Sequence, residues 1–410
     1  MHHPDYHEIS RRFRRTTVWD DAVPLTYPSE GVDLHFLSFE SQNGHYLLGN
    51  DGYSCAEHGL TFPAETTFHD PTDAAILENL RFRYFLVREH RAGGALRRHD
   101  RVVILFHGLN ERSFTKYIPW AYHIWRSTGS PVILFPLTFH INRVLPAWAG
   151  EQQKDYEDRR ALAGNEMAHR FNAVISDRLG AHPDRFFWGA EQSYWDVVDL
   201  VRKIRAGGHP HFSPGTRVDT FGFSAGGYVA LALMLENHEN LFAESRGVVF
   251  ASGIAVRDVN LASHLIVDHM AEVALMKLFV KYRDRLGSPR LRHWLEQHPE
   301  GRWLNAFCGL IPDRTRLDRR LKELAPRLLG IANINDQVMP AGAMLNSLQG
   351  IRRDTGVRVE ELPLGIHENP FASPDYNLRD RSVILDFLDV ARYGREFESF
   401  VEMVSGFFGR

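Results

Sequence analysis

From residue 101 onward the chain repeats one pattern: a short apolar run, then a longer stretch with apolar positions three and four apart. The runs are Val102-Val103-Ile104-Leu105-Phe106, Val132-Ile133-Leu134-Phe135, 218–222 (ending in a glycine-rich turn), Val248-Val249-Phe250-Ala251, Leu328-Leu329-Gly330-Ile331-Ala332 and 357–362. Continuous apolar runs predict strands buried on both faces, as in a parallel sheet. The stretches between them, 114–126, 194–204, 225–236 and 341–348, have helical spacing. Strand alternating with helix over this length predicts a doubly wound, mostly parallel α/β sheet.

Residues 1–75 lack this pattern. Turns at Gly49-Asn50-Asp51-Gly52 and Pro63 break them up, and they read as an N-terminal extension with a few short strands. Residues 80–88 alternate and are rich in Phe and Tyr, which predicts a strand, and 91–99 form a Gly- and Arg-rich turn. Two connections exceed a simple crossover, 137–192 and 255–325. Connections that long in an α/β fold usually carry function, here expected as helical lids or caps, the alternative being extra packing surface. The second holds helical patterns at 265–282 and 291–297, then a basic stretch at 314–322. Helices are also predicted at 380–392 and 397–408, with apolar spacing suited to packing on the sheet. The domain reading is therefore an extension over 1–75 and one domain over 76–410 that carries both insertions.

A chain of 410 residues buries well over half of its unfolded surface and needs no disulfide or metal to fold. It is 44% hydrophobic and 24% charged, with a formal net charge of −3, so no strong field draws nucleic acid or an anionic membrane. The two cysteines, Cys55 and Cys308, form no C-x-x-C pair, which argues against a disulfide framework or a zinc ribbon. The first fifteen residues are polar, include Arg11, Arg12, Arg14 and Arg15, and lead into no apolar h-region. The longest apolar stretches, such as 229–235, are too short to cross a bilayer. The expectation is a cytoplasmic protein without membrane insertion or nucleic-acid partner. Its oligomeric state is not legible.

The chemistry concentrates at four places. Gly222-Phe223-Ser224-Ala225-Gly226-Gly227 follows a predicted strand and opens a predicted helix, the context a G-x-S-x-G nucleophile elbow requires. A serine on so sharp a turn holds a strained backbone, and side chains two positions away would collide. The turn also sets Ser224 at a helix N-terminus, where free N–H groups favour negative charge. The plain alternative is a glycine-rich helix cap. Next, the strand 102–106 runs directly into His107-Gly108-Leu109-Asn110.

With these segments the chain resembles the α/β-hydrolase superfamily, the serine esterases and lipases, over roughly residues 100–392. In that superfamily an H-G segment after an early strand supplies half of the oxyanion hole. The resemblance implies backbone donors at Leu109 and Ala225. Asn110 is either a further side-chain donor or a cap of the next helix, and His107 reads as structural.

The third place, Ile331-Ala332-Asn333-Ile334-Asn335-Asp336, resembles the superfamily's acid position, so Asp336 is expected to orient a histidine. Asp258, after the preceding strand, is the reserve. In the fourth, Gly365-Ile366-His367-Glu368-Asn369-Pro370 follows the last predicted strand, where the superfamily carries its base. A neutral imidazole removes the serine proton and returns it to the leaving group. Any one of 22 histidines is weak evidence alone, but the chain order Ser224, Asp336, His367 matches the superfamily's order.

Segments 176–185 and 192–205 are also similar to a small group of α/β-hydrolase-like proteins without an assigned substrate. The long connection at 137–192, where many simple esterases have a short loop, is a departure from the superfamily pattern. The resemblance implies a serine hydrolase that cleaves an ester or related acyl bond on a small molecule. The alternatives are a non-catalytic binding protein of the same fold and an acyltransferase using the same three residues. Aromatic residues in or near the insertions (Phe139, Trp148, Trp188, Trp294, Trp303 and Phe307) have two readings: an apolar acyl or alkyl group as substrate, or ordinary core packing. No H-E-x-x-H, Walker A or G-x-G-x-x-G pattern stands in a suitable place. No metal or cofactor is expected, and scattered histidines such as His264 and His269 would meet an ion only through tertiary proximity.

Overall fold

The apolar runs are strands, and all but the last have both faces covered; Arg358–Leu362 is instead exposed or half-buried, because it closes one edge of the sheet. Along 102–106 alternate side chains enter opposite cores: Val102, Ile104 and Phe106 one, Val103 and Leu105 the other. That is the two-residue period of a strand between two helical layers. The computed structural model describes residues 6, 9, 12–13, 25–49, 52–64, 73–91, 97–148, 152–283, 288–307, 314–350, 352–371 and 390–409, without the side chains of 282–283 and 390–393.

In chain order the strands are β1 (Leu25–Tyr27), β2 (Val32–Glu40), β3 (Tyr53–Cys55), β4 (Leu60–Phe62), β5 (Arg81–Glu89), β6 (His99–Phe106), β7 (Val132–Phe135), β8 (Phe212–Phe223), β9 (Gly247–Phe250), β10 (Leu328–Asn333) and β11 (Arg358–Leu362). Nine of them form one sheet in the order β1-β2-β5-β7-β6-β8-β9-β10-β11, and β3 and β4 make a separate hairpin. From β7 to β11 every neighbouring pair is parallel, while β1, β2 and β5 join antiparallel. The doubly wound, mostly parallel α/β sheet is therefore present.

Helices Arg185–Arg205, Ala225–Glu236 and Ala341–Gln349 cover one face. Tyr117–Thr128 and Val390–Gly409 cover the other. The helix Ala225–Glu236 is buried over Gly226–Leu235 and so is apolar all round, as suits a helix enclosed on every side.

The sheet begins earlier than the expected boundary at residue 75. β2 pairs with β5 from Val32↔Glu89 to Glu40↔Arg81, so these residues are part of the sheet and not an extension to it. Only the start of β2 is fully buried, and a half-buried edge strand carries a weak apolar signal. The helix expected at 194–204 begins earlier, at Arg185, because its first half buries polar groups such as Arg185, Glu191 and Gln192 that mask the apolar period. The long connections contain helices Gln152–Leu162 and Ala173–Ala181 in the first, and His269–Arg283, Pro289–Gln297, Pro299–Phe307 and Arg314–Leu324 in the second. Most of the helix expected at 380–392, much of the turn at 91–99, and Cys308 lie outside the described residues.

Chain order and spatial order diverge at β6: the chain passes from β6 to β7 on one side and returns to β8 on the other. Such a switch opens a crevice beyond the carboxyl ends of the strands, where α/β sheets bind ligands. Register brings those ends level, with Phe106 opposite Gly222, Phe223 opposite Phe250, and Asn333 opposite Leu362.

Candidate active site

Ser224 follows β8 directly and precedes the helix Ala225–Glu236, with φ 51° and ψ −123°. That conformation is strained for a residue with a Cβ, at a cost of roughly 1–3 kcal/mol. Its surroundings hold it there. The Ser224 N–H donates to the Phe250 carbonyl at 3.0 Å, and the Ser224 carbonyl accepts from the Gly227 N–H at 2.9 Å and from the Ser252 hydroxyl. The glycines are required by space. A Cβ on Gly222 would lie 2.4 Å from the Gly226 carbonyl oxygen, and one on Gly226 would lie 2.6 Å from that of His107.

Three of the sequence-predicted residues come together. His367 Nε2 lies 2.8 Å from Ser224 Oγ, and His367 Nδ1 lies 2.7 Å from Asp336 Oδ2. All three are buried, at 5%, 4% and 6% exposure for Ser224, His367 and Asp336. The other carboxylate oxygen, Asp336 Oδ1, accepts the N–H groups of Val338 at 2.8 Å and Met339 at 2.7 Å. A carboxylate only accepts, so Nδ1 carries the imidazole proton and Nε2 presents its lone pair to the serine hydroxyl. The imidazole stacks on the Phe223 ring at 5.2 Å and 26°. Lys116 Nζ sits 4.8 Å over the same Phe223 ring and donates to the Glu368 carbonyl at 3.0 Å.

The loops that carry Asp336 and His367 are cross-linked by a residue to which the sequence reading gave no role. Asn333, the last residue of β10, donates from Nδ2 to the Gly365 carbonyl at 2.6 Å. Its Oδ1 accepts the N–H groups of Leu364 and Asn335, both at 3.1 Å. Asn335 adds a bond from Nδ2 to the Leu364 carbonyl at 2.7 Å. A polar residue ending an apolar strand is the sequence signal that marks it.

Leu109 and Ala225 both line the small cleft at Ser224. Among the described residues neither backbone N–H has a hydrogen-bond acceptor. His107 is structural, as expected: Nδ1 donates to the Gly108 carbonyl at 2.7 Å and Nε2 accepts the Leu137 N–H at 2.9 Å. Complete burial holds its imidazole well below the usual range, in the neutral form these bonds need.

Asn110 fulfils neither expectation. Its side-chain nitrogen donates to the carbonyls of Phe171 and Leu265, both at 2.7 Å, and so ties the two long connections together. The reserve, Asp258, pairs instead with Arg257 at 3.7 Å with its side chain 43% exposed, and the His367 Nδ1 partner is Asp336.

A cavity of about 300 Å3 adjoins the cleft, sharing Leu109, Phe186, Ala225 and Tyr228 with it. Of the six aromatic residues in or near the insertions, Phe139 and Trp148 line it. Trp188, Trp294, Trp303 and Phe307 instead pack in the core, with Trp303 donating to Glu236 at 2.9 Å. The walls also hold polar groups that the sequence did not single out. Arg178 lies over the Phe139 and Trp148 rings at 4.5 and 4.1 Å and bonds Asp73 at 3.2 Å. His140 donates from Nδ1 to the Thr138 carbonyl at 2.8 Å, and burial pushes its imidazole down to about 4. Burial, reinforced by the neighbouring Glu300, holds the Glu191 carboxyl well above the usual range.

The fold and this constellation define an α/β protein with a serine, a histidine and an aspartate in one hydrogen-bonded chain at a sheet's carboxyl edge. Residues 5–397 match DUF6051, a family of unknown function, and the chain belongs to that family. No curated protein matches. Solved structures that this one resembles at a distance include carboxyl esterase 2 of the fungus Tuber melanosporum, 14% identical over 80% of this chain and 81% of that one, at a TM-score of 0.38. A thermostable esterase from Pseudomonas putida is 13% identical over 94% and 88%, at 0.44. Brefeldin A esterase, described as a bacterial homologue of human hormone sensitive lipase, is 15% identical over 97% and 83%, at 0.43. Likenesses this distant carry no activity or substrate across to this chain.

Proposed function

We propose that this protein is a serine hydrolase of the α/β-hydrolase type that cleaves an ester or related acyl bond. The observation that carries the reading is the unbroken chain Ser224 Oγ–His367 Nε2 at 2.8 Å and His367 Nδ1–Asp336 Oδ2 at 2.7 Å. In the proposed reaction Ser224 Oγ attacks the acyl carbon while His367 Nε2 takes its proton. Asp336 holds the resulting imidazolium. The N–H groups of Leu109 and Ala225 receive the oxyanion, and one such donor is worth roughly 10²–10³ in rate. Collapse breaks the bond to the leaving group, which departs with the proton from His367. Water then repeats the sequence on the acyl-enzyme and frees the acid.

The insertions 137–192 and 255–325 act as a cap, and the cavity they help to line receives the acyl or alkyl group. Its volume, about 300 Å3, is at the small end for ligand pockets and suits a small molecule with an apolar part. The cytoplasmic location expected from the sequence belongs to this reading as well. Among the described residues no helix is long and apolar enough to cross a membrane.

A fluorophosphonate probe tests the reaction class. The wild-type protein is expected to be labelled at the peptide containing Ser224, and Ser224→Ala to remain unlabelled. Absence of labelling where a control esterase reacts, or equal labelling of the variant, would refute the reading and leave a non-catalytic binding protein of this fold. A series of p-nitrophenyl esters tests the cavity: rates are expected to fall once the acyl chain outgrows it, and a flat profile from acetate to decanoate counts against a shaped pocket.

A further inference from the structure

A second cluster of reactive side chains uses none of the groups around Ser224. Cys55 ends β3, and His58 follows it in the turn to β4, which closes with a bond from the Gly59 N–H to the Cys55 carbonyl at 2.9 Å. His293 lies on the helix Pro289–Gln297. His298 ends that helix, its N–H bonded to the Trp294 carbonyl at 3.1 Å. The fold brings the four together. Cys55 Sγ is 3.4 Å from His58 Nδ1 and 3.4 Å from His298 Nε2, and one ligand atom from each of the four residues lies within 4.8 Å of all the others. The three imidazoles stand close to perpendicular, with ring centroids 4.8, 5.0 and 5.2 Å apart.

We infer that Cys55, His58, His293 and His298 form a tetrahedral binding site for a divalent cation of the zinc class.

Four observations support this. The donors are the borderline-soft sulfur and nitrogen ligands that zinc prefers, spaced C-x2-H and H-x4-H, close to the spacing of structural zinc sites. Zinc bonds of about 2.3 Å to sulfur and about 2.0–2.1 Å to nitrogen put the S···N edge of a tetrahedron near roughly 3.6 Å, and both separations from Cys55 Sγ are 3.4 Å. Among the described residues the buried Nε2 of His293 has no hydrogen-bond partner, a vacancy that burial makes costly. Finally, His298 turns Nε2 towards the thiol and Nδ1 towards carboxylates of Glu57 at 3.5 Å and Glu300 at 3.6 Å. That is the outer arrangement that orients a ligating histidine. One thiolate and three neutral imidazoles leave a zinc ion with a single net positive charge, which those carboxylates offset.

Four protein ligands leave no open position, so the site is structural and takes no part in the ester chemistry. It staples the β3–β4 hairpin to the helices Pro289–Gln297 and Pro299–Phe307. The second of these helices reaches the cavity, where Glu300 and Leu304 are part of the wall. Arg290, on the first of these helices, also meets the hairpin, 4.3 Å over the Tyr53 ring, and the helix Arg185–Arg205, 4.0 Å over the Trp188 ring.

The test is metal content and cobalt spectroscopy on the full-length protein, with no reliance on ester hydrolysis. Protein expressed with zinc is expected to carry roughly one zinc ion per chain, to lose several degrees of Tm on chelation, and to recover them when zinc is restored. Cobalt(II) is expected to give tetrahedral d–d bands with a thiolate-to-metal charge-transfer band, and Cys55→Ser to remove the latter. His58 is exposed, so His58→Ala leaves the fold intact and is expected to weaken zinc binding at least roughly tenfold. Cobalt that does not bind, that binds without the thiolate band, or that binds undiminished in His58→Ala would overturn the site. An unchanged Tm on removal of bound zinc would overturn its role as a staple.

Discussion

Replacing Asp336 by asparagine tests the proposed chemistry without disturbing packing, because the two side chains have the same shape. The surroundings decide which way the amide faces. Asp336 Oδ1 accepts two backbone N–H groups, from Val338 and Met339, and an NH2 group turned towards them would set donor against donor. The amide oxygen must therefore stay on that side, and the NH2 group must face His367 Nδ1. The imidazole then accepts at Nδ1 and carries its proton on Nε2, the nitrogen 2.8 Å from Ser224 Oγ. A base holding a proton at that position cannot take the serine's. Loss of the correct tautomer in a Ser-His-Asp arrangement costs about 10⁴ in kcat, or ~5.4 kcal/mol in barrier height. The assay is steady-state hydrolysis of a p-nitrophenyl ester, with thermal unfolding as the control. kcat is expected to fall about ten-thousandfold while Tm stays close to that of the wild type. An Asp336→Asn protein that keeps more than a tenth of the wild-type kcat would refute the assignment of base and orienter.

Three further outcomes follow from the structure. Asn333→Ala removes two bonds that hold the His367 loop to β10 and a third to Asn335 in the Asp336 loop, and a misplacement of the base near 1 Å costs roughly 10²-fold in kcat with KM little changed; steady-state kinetics within threefold of wild type would exclude the clamp. Arg143→Ala leaves the fully buried Asp196 without its 2.8 Å ion pair and is expected to destabilise the fold by about 3–5 kcal/mol in urea unfolding; a loss below about 1 kcal/mol would contradict this. Glu191→Gln tests the raised carboxyl. At low pH, where folded and unfolded chains both hold the proton, the raised pKa contributes its full stability. As pH rises past the unfolded value the unfolded chain ionises first, so that contribution shrinks until the folded pKa is passed. The Tm advantage of Glu191→Gln is therefore expected to widen as pH rises above about 4.5, and parallel Tm–pH curves would refute it.

The parts legible in the sequence are those governed by local crowding and by strand ends. Gly222 and Gly226 are readable because nothing larger fits between 2.4 and 2.6 Å contacts, and such a constraint leaves its mark within a few residues. The strands β7, β9 and β10 are readable because burial on both faces requires unbroken apolar runs. β1 and β2 were not, because an antiparallel edge leaves much of its surface half-exposed. Asn110 was misread because its partners, Phe171 and Leu265, arrive from connections whose path the sequence does not state. For the same reason the sequence leaves open which of the six aromatic residues pack in the core, as four do, and which line the cavity. The Cys55–His298 contact spans 243 residues, and no local motif announces a pairing of that kind.

The site divides into parts held in two different ways. Ser224 and the N–H groups of Leu109 and Ala225 leave adjacent strands, β8 and β6, whose register puts Gly222 opposite Phe106. The distance between nucleophile and proposed oxyanion donors is thus fixed by the sheet, and altering it means breaking ladder hydrogen bonds in the core. Asp336 and His367 stand on loops beyond β10 and β11, where no ladder continues, and the side chains of Asn333 and Asn335 take over. The cavity wall is built differently again: most of it comes from the first long connection, with Glu300 and Leu304 from the second, and the two connections are joined by Asn110, by Arg160 to Asp268 at 2.7 Å, and by Asn172 to the Ser263 carbonyl at 2.8 Å. None of these ties touches Ser224, Asp336 or His367. Under the proposed function, substitutions in the wall are therefore expected to alter which acyl group fits while the proton path keeps its geometry, and substitutions in the asparagine clamp to do the reverse.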